Sequence, residues 1–234
     1  MQRSDCRQSC CEACWFTVLI LEKIVRSDLT DVTVVLDRSG SMGSCRAEAE
    51  NGLNHFVEEQ KKQPGECLFS LVQFDNEYEF VHKGEKISDV PKFALVPRGM
   101  TALLDAVGRA ISETGNRLSA MKESDRPGLV VFVIVTDGGE NSSHEFSKKQ
   151  VREMVERQKR DYNWRFTFLG ANQDAFAEAS ALGIDLSAIA GYSTTSSKKA
   201  FAGASGNVTR MRSAAIQGHS VQCSYTPEEL SAMS

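Results

Sequence analysis

The feature that most constrains the fold is an alternation of short apolar runs with amphipathic stretches from Leu29 onward. Val32 to Leu36 is a run rich in β-branched residues, which is typical of a strand buried on both faces. Leu129 to Val135 is the most apolar segment of the chain and is predicted to be a central strand. Strands that alternate with helices form parallel sheets. We therefore predict an α/β fold with a largely parallel sheet.

The remaining elements follow from the same periodicities. Further strands are predicted at Leu68–Phe74, Tyr78–Val81, Arg165–Leu169 and within Ile184–Ala190. The strand at Tyr78–Val81 would return from a turn at Asp75 and Asn76 as one short antiparallel edge strand. Helices are predicted from Gly43 to Pro64, from an N-cap at Thr101 through Ile111, and over Ser147–Arg160, Asn172–Leu182 and Thr194–Met211. The last dozen residues show no firm pattern.

Three segments place oxygen donors at predicted strand ends or helix starts. DRSGSM supplies Asp37, Ser39 and Ser41, Gly99-Met100-Thr101 supplies Thr101, and TDGGEN supplies Asp137. In open α/β sheets, ligands bind in the crevice beyond the carboxyl ends of the strands. If the two aspartate-ended strands are parallel neighbours, both carboxylates lie at that crevice.

The chemistry of these donors indicates a hard divalent cation. Hydroxyl and carboxylate oxygens suit Mg²⁺, Mn²⁺ or Ca²⁺ far better than zinc or copper. A compact site completed by water is typical of Mg²⁺. If three hydroxyls ligate directly and a carboxylate acts partly through water, the cation keeps positive charge and attracts an outside carboxylate. This donor set would therefore recognise an acidic group on a partner.

The three segments together resemble the von Willebrand factor type A (VWA) domain family. DRSGSM is similar to the D-x-S-x-S element of that family, Thr101 to its lone threonine, and TDGGEN to its T-D-G element. The resemblance covers roughly residues 31 to 191. It implies the Rossmann-like VWA fold, an α/β fold with a doubly wound, mostly parallel sheet and one short antiparallel edge strand. It also implies a metal-ion-dependent adhesion site (MIDAS), in which Ser39, Ser41 and Thr101 ligate the metal. Asp37 and Asp137 would hold it directly or through water.

Within the family, the chain resembles compact intracellular bacterial or phage members. The first strand follows almost directly after Ser27-Asp28-Leu29-Thr30, and Phe168 to Asn172 is similar to that group. The predicted function is a magnesium-dependent protein-binding module without catalysis, whose partner offers Asp or Glu. Arg38 and Arg98 flank the surface and could help to hold the incoming acid.

Other functions stay open at this point. A Mg²⁺-dependent phosphoryl or ester hydrolase could use the same crevice, with Asp37 as nucleophile or metal ligand. Against a hydrolase, the sequence contains no glycine-rich phosphate loop and no obvious general base. An assembly protein in which the metal makes the loops rigid is a third alternative. Each donor also has a simpler explanation, since Ser39, Ser41 and Thr101 could be helix caps and Asp137 an ordinary turn residue.

Charge and cysteine content limit the cellular compartment and the kinds of partner that the chain is expected to have. The net charge of −4 argues against a broad basic nucleic-acid surface, and no apolar run is long enough to span a bilayer. Four of the seven cysteines, at positions 6, 10, 11 and 14, have a spacing that fits a zinc site poorly. The other three are scattered, as is common in reducing compartments. The prediction is a cytoplasmic protein that binds neither nucleic acid nor membrane.

The domain organisation follows from a change in composition. We expect an N-terminal extension over 1–26, a VWA domain over 27–215 and a C-terminal tail over 216–234. One hypothesis for the extension is a helix that packs Trp15, Phe16, Leu19 and Ile20 against the domain or a partner. The other, which we favour, is a translated upstream segment without function.

Overall fold

The computed structural model describes residues 25–171, 173–193 and 196–233. Most of the predicted N-terminal extension, with its four cysteines and its apolar positions, lies outside these residues, as do Asn172 and Thr194. Ser27 to Thr30, predicted to lead into the first strand, already belong to that strand. Its extra residues pair with the neighbouring strand, since Arg26 lies opposite Pro127.

A six-stranded sheet organises the chain, with helices on both faces. The strands are β1 (Arg26–Asp37), β2 (Glu66–Phe74), β3 (Tyr78–Lys86), β4 (Pro127–Thr136), β5 (Arg165–Gly170) and β6 (Ile189–Gly191). The helices are α1 (Arg46–Lys61), α2 (Leu103–Ser119), α3 (Lys148–Tyr162), α4 (Gln173–Ala181), α5 (Ser197–Ile216) and α6 (Pro227–Met233). The strand order is β3-β2-β1-β4-β5-β6, with only β3 antiparallel to its neighbour. The predicted doubly wound α/β fold is confirmed.

Alternating side chains of the central strands build two separate cores. In β1, Val32, Val34 and Leu36 are buried in the core that contains residues of α1, α5 and α6. Val35 belongs to the opposite core, with residues of α2, α3 and α4. Successive side chains of a strand point to opposite faces, so a strand that is apolar throughout must be covered on both sides. The apolar runs of β1 and β4 therefore dictate helices on both faces.

Several predicted boundaries are corrected. The antiparallel edge strand has nine residues rather than four, because β3 continues to pair with β2 as far as Lys86. At the opposite edge, only Ile189–Gly191 is a strand, preceded by a 3-10 turn at Leu186–Ala188. Helix α2 begins at Leu103, with Ala102 at its N-cap position and no side-chain cap. The prediction that Thr101 caps this helix is therefore wrong.

The C-terminal residues are also more ordered than their sequence pattern indicates. Helix α6 packs on α5, and Met233 is fully buried. A side chain at Gly203 would overlap Met233 Cε, so the glycine that made α5 a weak helix prediction provides space for α6. The last residues, which show no firm pattern in the sequence, include a short helix at Pro227–Met233. Among the described helices, none combines the length and apolar character that crossing a membrane requires.

Candidate metal centre

Asp37 lies at the end of β1, beside the end of β4. The two strands pair in parallel up to Leu36 and Val135, so their next residues, Asp37 and Thr136, are neighbours at the carboxyl edge. The Thr136 hydroxyl donates to Asp37 Oδ2 at 2.6 Å, and the backbone N–H of Ser39 donates to Asp37 Oδ1 at 2.6 Å. Asp37 is fully buried. Its carboxylate therefore has a fixed orientation in the crevice.

The surroundings of Asp37 oppose its negative charge. The pKa of Asp37 is raised to about 6, mainly by burial and with a smaller contribution from the charge of Asp137. Hydrogen bonds from Thr136 and Ser39 act in the opposite direction. Burial likewise raises the pKa of Asp137. A cation between the two carboxylates would favour the ionised form of both, because opposite charges stabilise each other.

The two serines connect Asp37 to Asp137. Ser39 Oγ lies 3.0 Å from Ser41 Oγ, and the Ser41 hydroxyl donates to Asp137 Oδ1 at 2.7 Å. Neither serine caps the following helices, because the 3-10 turn at Gly40–Cys45 and α1 have no side-chain cap hydrogen bond. The simpler explanation of the serines as caps is therefore wrong. Their oxygens face the same crevice as the carboxylates.

The Thr101 and Ser41 hydroxyls both lie close to Gly138. A Cβ atom on Gly138 would lie 3.8 Å from Thr101 Oγ1 and 4.0 Å from Ser41 Oγ. A Cβ atom there would be in ordinary van der Waals contact with both oxygens, so the glycine after Asp137 borders both hydroxyls. Thr101 itself is 3% exposed. The structure therefore brings all five predicted residues to one edge of the sheet.

This donor set fits a hard divalent cation. It contains two carboxylates and three hydroxyls, and no group of three or more His, Cys, Asp or Glu that could hold a metal occurs within the described ranges. Such an oxygen set is unlike a zinc or copper site. Asp37, Ser39 and Thr101 are buried, whereas Ser41 is exposed and Asp137 is half-buried. An outside ligand would approach from the side of Ser41 and Asp137.

The loop that carries Thr101 is bonded to the loop that carries the serines. Arg98 N–H donates to the Arg38 carbonyl at 2.7 Å, and Gly40 N–H donates to the Gly99 carbonyl at 3.1 Å. These are main-chain contacts, so they are independent of the side chains at those positions. They hold the two loops side by side.

The turn between β2 and β3 also holds the Thr101 loop. The Asp75 carbonyl accepts from Ala102 N–H at 2.9 Å, and Asn76 Oδ1 accepts from Met100 N–H at 2.7 Å. Gly99 has a φ of 71°, and a side chain there would collide with Asn76. A glycine suits this position because it tolerates positive φ and leaves room for the close approach.

The two arginines proposed to receive an incoming acid have partners within the chain. Arg38 is 6% exposed and bonds to Asp75 at 3.1 Å and to Glu79 at 2.7 Å. Arg98 bonds to Asp75 at 2.7 Å and to Glu77. The Arg38 guanidinium does not point to solvent, because it lies beside the buried Asp75 carboxylate. Arg38 makes these bonds from a buried position, whereas the Arg98 side chain is 52% exposed and pairs with Asp75 and Glu77 at the surface.

Sequence reasoning missed the residues that support the donors. They are Thr136, which bonds Asp37, Asp75 and Asn76, which hold the Thr101 loop, and Glu140 and Asn141 after Asp137. One signal was available, because Asp75 and Asn76 directly follow β2 at the same carboxyl edge as Asp37. Applying the strand-end rule to β2 would have identified them. Glu140 and Asn141 carry no comparable local signal.

The fold and the site together define a class of protein: an α/β domain with a cation-suited crevice at the carboxyl edge of its sheet. The family model for the von Willebrand factor type A domain matches residues 31–207. The chain belongs to the VWA domain family. No curated protein matches it by sequence.

Solved structures with the same fold are distant in sequence. Proximal thread matrix protein 1 from the mussel byssus is 16% identical, with a TM-score of 0.57 over 77% of this chain and 46% of that chain. The vWF domain of the pili tip protein Mfa5 from Porphyromonas gingivalis is 12% identical, with a TM-score of 0.57 over 85% of this chain and 98% of that domain. Manganese-loaded TRAP protein from Plasmodium vivax is 14% identical, with a TM-score of 0.51 over 75% and 72%. The chain thus spans less than half the length of the mussel protein, and these likenesses show the fold.

Proposed function

We propose that this VWA domain is a metal-ion-dependent protein-binding module. The observation that carries the proposal is the convergence of Asp37, Ser39, Ser41 and Asp137 in one connected chain of contacts, with the Thr101 hydroxyl nearby, next to Gly138. The three hydroxyls would ligate the metal, and the two aspartates would hold it directly or through water. Mg²⁺ is the expected ion, and Mn²⁺ or Ca²⁺ would also suit these oxygens.

The partner we propose offers an Asp or Glu side chain. When bound, the divalent cation would supply a coordination position for that outside carboxylate. The chain's own residues orient the site: Asp37 is fixed by two hydrogen bonds, and the buried Ser39 and Thr101 form its floor. The exposed Ser41 leaves one side open. The adhesin-like and matrix proteins among the fold relatives support a protein partner, and the manganese-loaded relative supports a metal.

We propose recognition rather than turnover as the activity. The carboxylates and hydroxyls at this edge are engaged with one another, and Asp37 is buried behind Ser39. A nucleophile needs access to its substrate, which Asp37 in this position does not have. We also propose a reducing compartment such as the cytoplasm, in keeping with the compact intracellular type of VWA protein. The free thiols of Cys45, Cys67 and Cys223 support this location.

The metal is tested by calorimetric titration of Mg²⁺, Mn²⁺ and Ca²⁺ into the wild type and Asp37→Asn. The asparagine keeps the shape of the side chain and can still accept from Ser39 N–H, while the Thr136 hydroxyl can turn toward the Gly138 carbonyl 3.1 Å away. We expect the wild type to bind Mg²⁺ and the variant to stay folded without binding it. The matched control is Asp89→Asn, which removes an exposed carboxylate. Absence of binding to the wild type by all three ions would overturn the metal centre.

The partner chemistry is tested by adding a glutamate-containing peptide to the Mg²⁺-loaded protein. We expect binding that disappears with EDTA and with a glutamine version of the peptide. Binding that survives both treatments would contradict coordination of an acid. Metal-dependent hydrolysis of p-nitrophenyl phosphate or acetate, lost in Asp37→Asn, would instead support a hydrolase.

A further inference from the structure

Glu140, three residues after Asp137, accepts four hydrogen bonds. Its Oε1 accepts from the backbone N–H groups of Ser142 at 2.9 Å and Ser143 at 2.7 Å. Its Oε2 accepts from the Ser143 hydroxyl at 2.6 Å and from Leu104 N–H at 2.9 Å. Leu104 is in the first turn of α2. One side chain thus shapes its own loop and satisfies a free N–H at the start of another element.

Asn141 bonds Thr101 at both main-chain groups. Its Oδ1 accepts from Thr101 N–H at 2.9 Å, and its own N–H donates to the Thr101 carbonyl at 3.0 Å. These two contacts fix the backbone of Thr101 without using its side chain. The Thr101 hydroxyl is consequently left for the crevice beside Gly138.

The two residues together join the donor-bearing loops after β4 and before α2. The first N–H groups of a helix need acceptors, and α2 has no side-chain cap at its own N-cap residue. The loop after Asp137 supplies one of them from Glu140. Asp137 and Thr101 belong to different segments of the chain, so their spacing depends on such contacts. Residues that orient ligands without touching the metal commonly control its affinity.

We propose that Glu140 and Asn141 are positioning residues of the metal centre. They set the distance between the Thr101 hydroxyl and the Asp137 carboxylate, although neither belongs to the predicted ligand set. This inference rests on the proposed function and adds to it a second layer of residues that determines metal affinity. The Glu140 carboxylate lies at the start of α2, where the helix dipole favours negatively charged groups.

The first test compares Mg²⁺ affinity in Glu140→Ala and Glu140→Gln by calorimetry. We expect Glu140→Ala to weaken binding by about tenfold, the lower end of the range for such supporting residues. Glu140→Gln keeps one acceptor oxygen for the N–H groups of Ser142 and Ser143, so it should restore part of the affinity. The matched control is Ser147→Ala, which removes the capping box of α3. It should lower the melting temperature comparably and leave Mg²⁺ affinity unchanged.

Asn141 provides an independent comparison. Asn141→Asp retains the Oδ1 acceptor for Thr101 N–H, whereas Asn141→Ala removes it. We expect the aspartate variant to bind Mg²⁺ at least as tightly as the wild type and the alanine variant to bind it several-fold more weakly. A purely structural role would lower the melting temperature of Asn141→Ala with no change in affinity.

The outcomes separate this inference from the proposed function. If the wild type binds no metal, the proposed function fails and this inference fails with it. If the wild type binds Mg²⁺ and Glu140→Ala and Asn141→Ala bind it equally well, only the positioning role is overturned. If the variants do not fold, amide hydrogen exchange of the wild type tests the positioning role instead. Mg²⁺ should slow exchange at Thr101 and Leu104, and unchanged rates there would overturn the positioning role.

Discussion

Gly138 lies next to the hydroxyls of two of the predicted ligands. It follows Asp137 directly, and a methyl group at this position would lie within 4.0 Å of both the Thr101 and the Ser41 hydroxyl oxygens. Its φ is not in the left-handed region, so the backbone itself would accept alanine. Alanine here would make only ordinary van der Waals contacts with these oxygens, so an effect of the substitution on metal binding would come from the space that the methyl takes beside the ligands rather than from backbone strain.

Gly138→Ala should therefore weaken Mg²⁺ binding while the protein stays folded. The added methyl would take up space beside the hydroxyl oxygens of Thr101 and Ser41, and we expect a loss of affinity of about tenfold. Calorimetry and a melting curve would measure both properties. Gly43→Ala is the control, because a methyl at that neighbouring loop position would meet no atom within 4 Å. Equal affinity in both variants would mean that the metal binds elsewhere.

Among the secondary-structure elements, loops and helices are held together by side chains that accept hydrogen bonds from backbone N–H groups. Asp105 in the first turn of α2 accepts from His144, Glu145 and Phe146 at 2.8 to 2.9 Å. Burial raises the pKa of Asp105, but these three donors outweigh it and bring the pKa below the usual 3.8. The ionised side chain thus holds the loop between β4 and α3 on α2.

Asp105→Asn should destabilise the protein at pH 7 by about 2 kcal/mol, because hydrogen bonds to an ionised group contribute more than neutral ones. A lowered folded-state pKa means that this stability is present above pH 3.8 and is lost as the pH falls through the folded-state pKa. The difference between wild type and variant should therefore shrink below pH 4. Urea denaturation at several pH values measures it, with Asp89→Asn as the exposed control. A pH-independent difference would contradict this role of the charge.

Helices α1 and α5 pack closely because α1 has a glycine at their contact. A Cβ atom on Gly52 would lie 3.0 Å from Phe201 Cγ and 3.1 Å from its Cβ. We expect Gly52→Ala to destabilise the protein by about 1–3 kcal/mol, since overpacking outweighs the helix preference of alanine. In Gly115→Ala on α2 the nearest atom would be 4.0 Å away, so that variant should gain up to about 1 kcal/mol. Urea unfolding of both variants gives the comparison, and stabilisation of both would show that α5 moves away without cost.

At the scale of the whole molecule, the C-terminal segment completes one of the two cores. Tyr225 OH lies 2.7 Å from Thr167 Oγ1 of β5, and the Ser196 hydroxyl donates to the Met233 carbonyl at 2.7 Å. Both Tyr225 and Met233 belong to the core formed with α1 and α5. The residues predicted as a tail, 216–234, thus contribute to the packing of the domain.

Met233→Ala should lower the free energy of unfolding by about 2–4 kcal/mol, because it removes a buried side chain next to Gly203. For a chain of this size, that corresponds to roughly 5–15 °C in melting temperature. Leu230→Ala is the control, since Leu230 is 39% exposed and should cost much less. Mg²⁺ affinity should be unchanged in both. A melting temperature equal to that of the wild type would show that α6 does not stabilise the domain.

The class of fold and the edge of the sheet at which the donors lie follow from residue patterns alone. Apolar runs such as Val32–Leu36 and Leu129–Val135 can be satisfied only by cover on both faces, and polar residues at the ends of parallel strands must meet at one edge. Both rules are local, because they depend only on the spacing of apolar residues and on the order of the segments along the chain. The ligating roles of Asp37, Ser39, Ser41, Thr101 and Asp137 stay a prediction, although the structure brings these residues together.

The residues that support the donors and the segment that completes the core depend on tertiary contacts. Asp75, Glu140 and Asn141 act on segments distant in sequence, and their hydrogen bonds depend on how loops meet after the sheet has formed. The same holds for Gly203, which weakens α5 as an isolated helix and becomes favourable only when Met233 packs against it. Local propensity describes a segment surrounded by water, whereas these contacts draw their stability from partners that the fold alone brings together.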